Sequence, residues 1–562
     1  MQDFAPSIAP VELRRRWQAE GLWTDDTFPV VAARGLAGNR NARARVLSTV
    51  RPYEGTVGDL ADQGARLAGL LSARGIGAGE VVAFQLPNWP EAVSTFYGLL
   101  QLGVVVVPIV HIYGHQEIGH ILRQSGARVL ITADRFGSHD YLSELELAAP
   151  LPDLELVVVV DAYGPFPAPE AEHLTWGEVL ATGEPLGQVA DVDPDTPALI
   201  CYTSGTTSAA KGVVHTHRTF LAELHQGVAL RGRDPLLAGA VSPLGGISGA
   251  PVGHVGGMLS LFGPMIGGSD LHLIDRWEPG LVLRTMQADG LTSGSGATFF
   301  LTSLLDHPDF DPAVHAPLMA RIGMGGAPIP AEVARRAEAL GISITRSYGS
   351  TEQPSITSTT HSDPSEIRLF TDGAPLPGVD IRLVDDDGRA VPQGTPGEIL
   401  SRGPERFVGY VDPALTAASI DRDGWFATGD IGVLDEHGNL SITDRKKDII
   451  IRGGENISAA EVEDLILTIP GVLEVAVVAA PDPRYGEHAC AFVQLAATAA
   501  PFDLAELGRR LDRTGLARQK WPEELRFLDD FPRTASGKVQ KHVLRDRLRA
   551  EAASSTPRAT TR

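Results

Sequence analysis

Between about residues 55 and 290 the chain alternates runs of helical period with short β-branched runs, and this rhythm restricts its fold more than any other feature. "VGDLADQGARLAGLLSARG" has apolar residues at helical spacing and ends on glycine, and "EVVAFQL" follows it as a buried strand. "EAVSTFYGLLQLG" with "VVVVPIV", then "EIGHILRQSG" with "RVLITA", repeat the unit. Parallel strands need such helical crossovers, so the expected class is α/β, with layers built on parallel-rich sheets.

Past residue 370 the texture changes. "VDIRLVDDDGRAVPQGTPGEILSRG" sets two extended runs around Asp-Gly and Gly-Pro turns, which predicts a β subdomain over about 370–443. "IGVLDEHGNLSITDRKKD" reads as a further hairpin turning at His437 to Asn439. In "ISAAEVEDLILTIPG", Ser458 and Glu461 have capping-box spacing before Val462, Leu465 and Ile466. A strand, a helix and a strand follow. The expected organisation is an N-terminal domain over 1–443, a hinge at 444–447, a small α+β domain over 448–545 and a disordered tail over 546–562.

Composition narrows the function. A net charge of −22 and a pI near 5.1 argue against a protein that neutralises nucleic acid or anionic lipid. Cys201 and Cys490 are the only cysteines, so no disulfide framework or cysteine metal cluster is expected. The first thirty residues lack a signal-peptide apolar core, and "FYGLLQLGVVVVPIV" is broken by Gly103 and Pro108. A cytoplasmic monomer or homodimer without stable membrane association is the expectation. Of 48 basic residues only six are lysines: Lys211, Lys446, Lys447, Lys520, Lys538 and Lys541. A lysine kept in such a chain is a candidate for presenting a compact ammonium to phosphate.

"YTSGTTSAAKG", Tyr202 to Gly212, follows the strand-like "ALICY", where ligands of open α/β sheets gather. It is no Walker A sequence, because Ala210 precedes Lys211 and Gly212 follows it. Thr203, Ser204, Thr206, Thr207 and Ser208 offer hydroxyls, Gly205 lets backbone approach, and Lys211 brings charge. Alone, the same letters also make a polar turn. "SYGSTEQP" brings Tyr348 to stack on a base, Thr351 to donate to phosphate and Glu352 as an oxygen ligand for Mg²⁺. Upstream, "GMGGAPIP" allows a planar ring against backbone. Asp430 in "GWFATGD" suits a ribose diol. "DRKKDIIIRGGEN" and "PRTASGKVQK" add cations in small-residue loops.

In order and spacing, "YTSGTTSAAKG", "SYGSTEQPS", "GWFATGD", "DRKKDIIIRGGENISAAEVE" and "PRTASGKVQK" resemble the adenylate-forming superfamily of acyl- and aryl-CoA ligases, luciferases and peptide-synthetase adenylation domains, over roughly residues 10–545. "APVGHVGGM", "LFTDGAPLPGVDIRL" and "GLARQKWPEELRFLDDFPRTASGKVQK" look most like AMP-forming ligases of the cyclohexanecarboxylate-CoA type. The resemblance implies ATP, Mg²⁺ and coenzyme A as cofactors, and a small-molecule carboxylic acid as substrate.

It also implies residue roles. Thr203, Ser204, Gly205, Thr206, Thr207 and Lys211 would cover the ATP phosphates. Gly326, Ala327, Pro328 and Tyr348 would frame adenine, with Asp430 and Arg445 on the ribose. Thr351 would touch the α-phosphate, Glu352 would hold Mg²⁺, and His254 would border the acyl pocket. Lys447 would be the hinge, Gly453 and Gly454 would meet the pantetheine arm, and Lys538 would bridge carboxylate and α-phosphate. The C-terminal domain would then be a mobile lid. Many relatives carry Gly and Pro where this loop has Ser208 and Ala210. Two alternatives to an acid–CoA ligase stay open: adenylation with another acceptor, such as nitrite activation for diazotisation of an aryl amine or amide formation, and a non-catalytic nucleotide-binding scaffold.

Overall fold

The computed structural model describes residues 6–160, 171–203, 210–233, 245–327, 329–453, 455–534 and 538–555. Its centre is an eight-stranded sheet. Six neighbouring strands run parallel, in the order Pro197–Thr203, Val105–Pro108, Val81–Gln85, Val129–Ala133, Leu156–Val160 and Glu172–Thr175. These strands are Val- and Ile-rich because helices cover both faces, which removes the alternation of a half-wet sheet. Helices Val57–Ala73 and Pro90–Leu102 pack closely, and the reason is glycine. A Cβ on Gly98 would fall inside contact distance of the Gly64 carbonyl, and one on Gly64 would overlap the Ser94 carbonyl. Thr56 and Asp59 close a capping box on the first of these helices.

The candidate phosphate loop follows a strand, as expected, but its setting is a hairpin. Lys211–Thr216 returns antiparallel to Pro197–Thr203, with Thr203 opposite Lys211, and Gly409–Tyr410 pairs beyond it. The two ends of the loop are therefore fixed by sheet registry and not by a helix N-terminus. Ser204–Ala209 lie outside the described residues.

Of three further four-stranded sheets, two carry candidate site residues. Arg321–Gly325 and Ser343–Tyr348 run parallel in the first, and their C-terminal ends carry Gly326 and the Tyr348 loop. Asp380–Val384, Gly397–Arg402, Phe426–Leu434 and Leu440–Arg445 form an antiparallel sheet, the extended texture read past residue 370. After Arg445 a five-stranded sheet forms with helices Ala459–Leu467, Leu504–Asp512 and Lys541–Ser555.

Three expectations change. The tail predicted over 546–562 is helical as far as Ser555, because Leu544 and Leu548 are buried against the strand Val472–Asp482 and its neighbour. The Ser458 hydroxyl accepts from the Glu461 N–H, yet Glu461 spends its carboxylate on Lys520 at 2.6 Å, and the box stays half made. Lys446, in a predicted cationic loop, bonds Glu398 at 2.9 Å and Asp386 at 3.2 Å on its own sheet. Among the described residues no helix is long and apolar enough to cross a membrane.

Candidate active site

The Tyr348–Ile356 loop is folded back on itself. Ile356 N–H donates to the Tyr348 carbonyl at 2.7 Å, and Ser350 N–H to the Gln353 carbonyl at 2.9 Å. Gly349 is required, since a Cβ there would overlap the Pro354 carbonyl. His215, on the hairpin strand beneath, meets the Thr351 carbonyl through Nε2 at 2.8 Å, and Phe407 N–H donates to the Glu352 carbonyl at 2.7 Å. Burial pushes His215 down to about 4, so at neutral pH the ring is an uncharged donor to that carbonyl. Backbone bonds thus hold Thr351 and Glu352 in place through their carbonyls.

Glu352 Oε1 accepts from the Tyr410 hydroxyl at 2.8 Å, and the Lys211 ammonium lies over the Tyr410 ring at 5.3 Å. One tyrosine therefore joins the predicted phosphate-loop lysine to the predicted metal ligand. Asp430 and Arg445 stand opposite each other in the antiparallel ladder, with Arg445 Nε 2.9 Å from Asp430 Oδ1. The other carboxylate oxygen of Asp430 accepts from the Tyr348 hydroxyl at 2.8 Å. Burial and the Asp430 charge raise Tyr348 far above the ordinary phenol range, so it remains a donor.

Lys538 enters from the C-terminal unit. Its Cε is 3.9 Å from where a Gly326 Cβ would stand, and Gly326 has a φ of +77°. Burial, then the Arg445 charge, push the ammonium down to about 8, against the pull of Asp430 and Glu352. His254 caps the short helix Val255–Leu259 by accepting from Gly256 N–H on Nδ1 at 3.2 Å, which leaves the proton on Nε2. Burial, with Lys538 nearby, lowers it to about 4. The structure therefore gathers Lys538, His254, Gly326, Tyr348, Glu352, Asp430 and Arg445, residues from two sheets, the loops around them and two structural units.

Other candidates fall elsewhere. Thr203 ends the strand before the phosphate loop, and Ala327 follows Gly326. Ser204, Gly205, Thr206, Thr207, Pro328 and Gly454 lie outside the described residues. Lys447 follows the last strand of the antiparallel sheet and is exposed; partial desolvation and the Arg445 charge lower its ammonium. Gly453 turns at φ +60° against Tyr485 of its own unit. The segments holding Ile247, Thr292, Gly296 and Gly323 hydrogen-bond side by side, with the Trp277 and Phe300 rings 4.7 Å apart against Gly249.

Among the described residues no group of three or more His, Cys, Asp or Glu could enclose a metal. The donor set suits Mg²⁺ nonetheless, because that ion is commonly held by one or two carboxylates together with substrate phosphates. Lys211, Arg445 and Lys538 suit the phosphates. Sequence reasoning missed Tyr410, although "FVGY" shows an aromatic beside glycine, and missed His215, whose bond to Thr351 crosses 136 residues.

Comparison with known proteins agrees with this geometry. Residues 36–411 match the AMP-binding enzyme family and 461–538 its C-terminal domain. The chain is 36% identical to the medium-chain fatty-acid–CoA ligase of Escherichia coli (strain K12) over 485 residues, 85% of this chain and 83% of that one. It is 33% identical to a feruloyl-CoA synthase of Amycolatopsis sp over 524 residues, covering 91% and 98%. ATP-bound MatB from Rhodopseudomonas palustris superposes with a TM-score of 0.79 at 27% identity, over 93% of this chain and all but 1% of that one (99% covered). With the motifs in order, both halves of the family matched and the fold shared, the chain belongs to the AMP-binding enzymes of the adenylate-forming superfamily.

Proposed function

We infer that the protein is an ATP-dependent, AMP-forming acid–CoA ligase acting on a neutral-bodied carboxylic acid, alicyclic, aryl or medium-chain. The observation that carries this reading is Lys538, brought from the C-terminal unit to Gly326, Asp430, Arg445, Glu352 and His254. A buried ammonium held down to about 8 beside an arginine is short of negative charge, and a carboxylate with an α-phosphate supplies it.

In the first half-reaction the acid's carboxylate oxygen bonds to the ATP α-phosphorus and the bond to pyrophosphate breaks. Both partners are anions, so Lys538 offsets their repulsion, while Lys211 draws the departing phosphates. Glu352 would hold Mg²⁺, which when bound neutralises phosphate charge. Asp430 accepts from the ribose hydroxyls, and Arg445 keeps that carboxylate in place. His254, uncharged, borders the acid without competing for its charge. In the second half-reaction the thiol of CoA attacks the acyl carbon and AMP leaves. Lys447 is the pivot that withdraws Lys538 and turns the Gly453 face inward. The Trp277 and Phe300 rings favour an apolar acyl body, as do the ligases of medium-chain and feruloyl acids among its relatives.

ATP–pyrophosphate exchange with alicyclic, aryl and medium-chain acids, followed by CoA-dependent AMP release with the best of them, tests the reading. Exchange and CoA dependence are expected together. AMP release that needs an amine or nitrite and ignores CoA would replace the ligase with another acceptor chemistry, and silence across the panel would leave a binding protein.

A further inference from the structure

Behind the Thr351–Glu352 loop, on the side away from the nucleotide residues, lie two carboxyl groups that neither half-reaction uses. Glu405, fully buried, accepts from Gln353 Nε2 at 2.7 Å, and Gln353 is itself fully buried. Glu223, 9% exposed on the helix His217–Arg233, accepts from the Ser355 hydroxyl at 2.6 Å. The middle and the exit of the loop are thus each tied to one acid. Gly403 makes the arrangement possible, since a Cβ there would run into the Glu405 carboxyl and the Gln353 amide.

Among the described residues neither acid forms an ion pair, and Oε2 of each is buried without a hydrogen-bond partner. The surrounding charged and titratable groups do not supply one. Arg406, next in sequence, sends its guanidinium to Ser7 and the Phe407 ring and makes no ion pair with Glu405, although the two charges attract, and burial lowers it to about 10. His215 is neutral at the Thr351 carbonyl, Glu352 faces Tyr410, and Asp421 acts on Arg406. The uncharged Gln226 amide acts on Glu405 as a further donor and offsets part of the effect of burial. Burying two like charges with no ion-pair contact is costly, and keeping a proton is the cheaper state. Burial raises Glu223 to about 7, and burial with the Glu223 charge raises Glu405 to about 8.

We propose that Glu223 and Glu405 are a proton-holding pair that positions the Gly349–Ser355 loop, so that MgATP is gripped while the pair is protonated and released more readily once it ionises. The proposal rests on the ligase reading of the site, and both acids act through Gln353 and Ser355 without touching substrate. A carboxyl whose folded value lies above its unfolded one stabilises the fold less as pH rises, so stability is expected to fall from about pH 4.5 to about pH 8.

The test is MgATP affinity by calorimetry at about pH 6 and about pH 9, in a Lys538→Ala background that removes the lysine's own titration. Affinity is expected to weaken on the order of tenfold at the higher pH, and Glu405→Gln, a neutral mimic of the protonated acid, to flatten that change to within about twofold. Glu405→Ala should weaken binding even at the lower pH. Equal alkaline weakening in Glu405→Gln, or an unaffected Glu405→Ala, overturns the proposal. Thermal midpoints across the same pH range, without nucleotide, should fall less for Glu405→Gln and Glu223→Gln than for the parent, and parallel profiles also overturn it. Failure of the parent to bind MgATP at either pH would sink the ligase reading, and the thermal profiles would still decide on the pair.

Discussion

Lys538 is charged at neutral pH but only narrowly, and two outcomes follow from that margin. Replacing it with alanine should slow adenylation by about 10²–10³-fold, the scale for one preorganised charge at a transferring group. CoA transfer from a supplied acyl-adenylate should be spared, and equal loss in both assays would contradict its role. Since the ammonium titrates at about 8 in the ligand-free protein, kcat/KM for adenylation should decline above that pH as the cation is lost. The depressed value also means that the charged lysine costs stability, a cost that fades as pH rises from about 8 towards 10.5. Tyr410 has the second sharply defined role. Tyr410→Phe keeps the ring under Lys211 and deletes the hydroxyl on Glu352, so the Mg²⁺ concentration for half-maximal rate should rise several-fold, the worth of one hydrogen bond to a charged group. An unchanged Mg²⁺ dependence would show that Glu352 needs no such support.

At the scale of elements, the site depends on close packing some distance away. The helices Val57–Ala73 and Pro90–Leu102 meet at Gly64 and Gly98, and the parallel strands lie against them. Gly98→Val should cost about 1–3 kcal/mol by overpacking, read as a lower denaturation midpoint. A midpoint equal to the parent would mean that the helices separate freely. These elements were legible in the sequence because helical period and β-branched runs report local burial. The hairpin around the phosphate loop was not, since "ALICYTSG" and "KGVVHT" leave open whether the second strand returns beside the first. The half-made cap at Ser458 failed for a similar reason, because Lys520, far along the chain, claims Glu461. Glu223 was invisible on its helix, where a single glutamate reads as solvated surface until its neighbours are known.

For the whole molecule the deciding contact is between the two units. Arg533 lies over Phe299 at 5.7 Å, Asp464 feels the Arg346 charge, and Lys538 reaches Gly326, so the C-terminal unit carries Lys538 into the candidate site. Lys447→Pro, by fixing φ at the proposed pivot, should leave ATP–pyrophosphate exchange within a few-fold and slow thioester formation by at least about tenfold. Thioester formation at the parental rate would remove Lys447 from the hinge.

The sequence by itself determined the α/β layers, the change to extended structure past residue 370 and the chemical types assembled at the site, because period, turn residues and glycine-flanked polar loops are local properties of the chain. Only the tertiary structure decided that Tyr410 bridges Lys211 and Glu352, that Asp430 is shared by Tyr348 and Arg445, and that Glu223 and Glu405 lie buried with no ion-pair contact among the described residues. Those facts depend on contacts between segments tens to hundreds of residues apart, and on the loss of water around them, which no local pattern encodes.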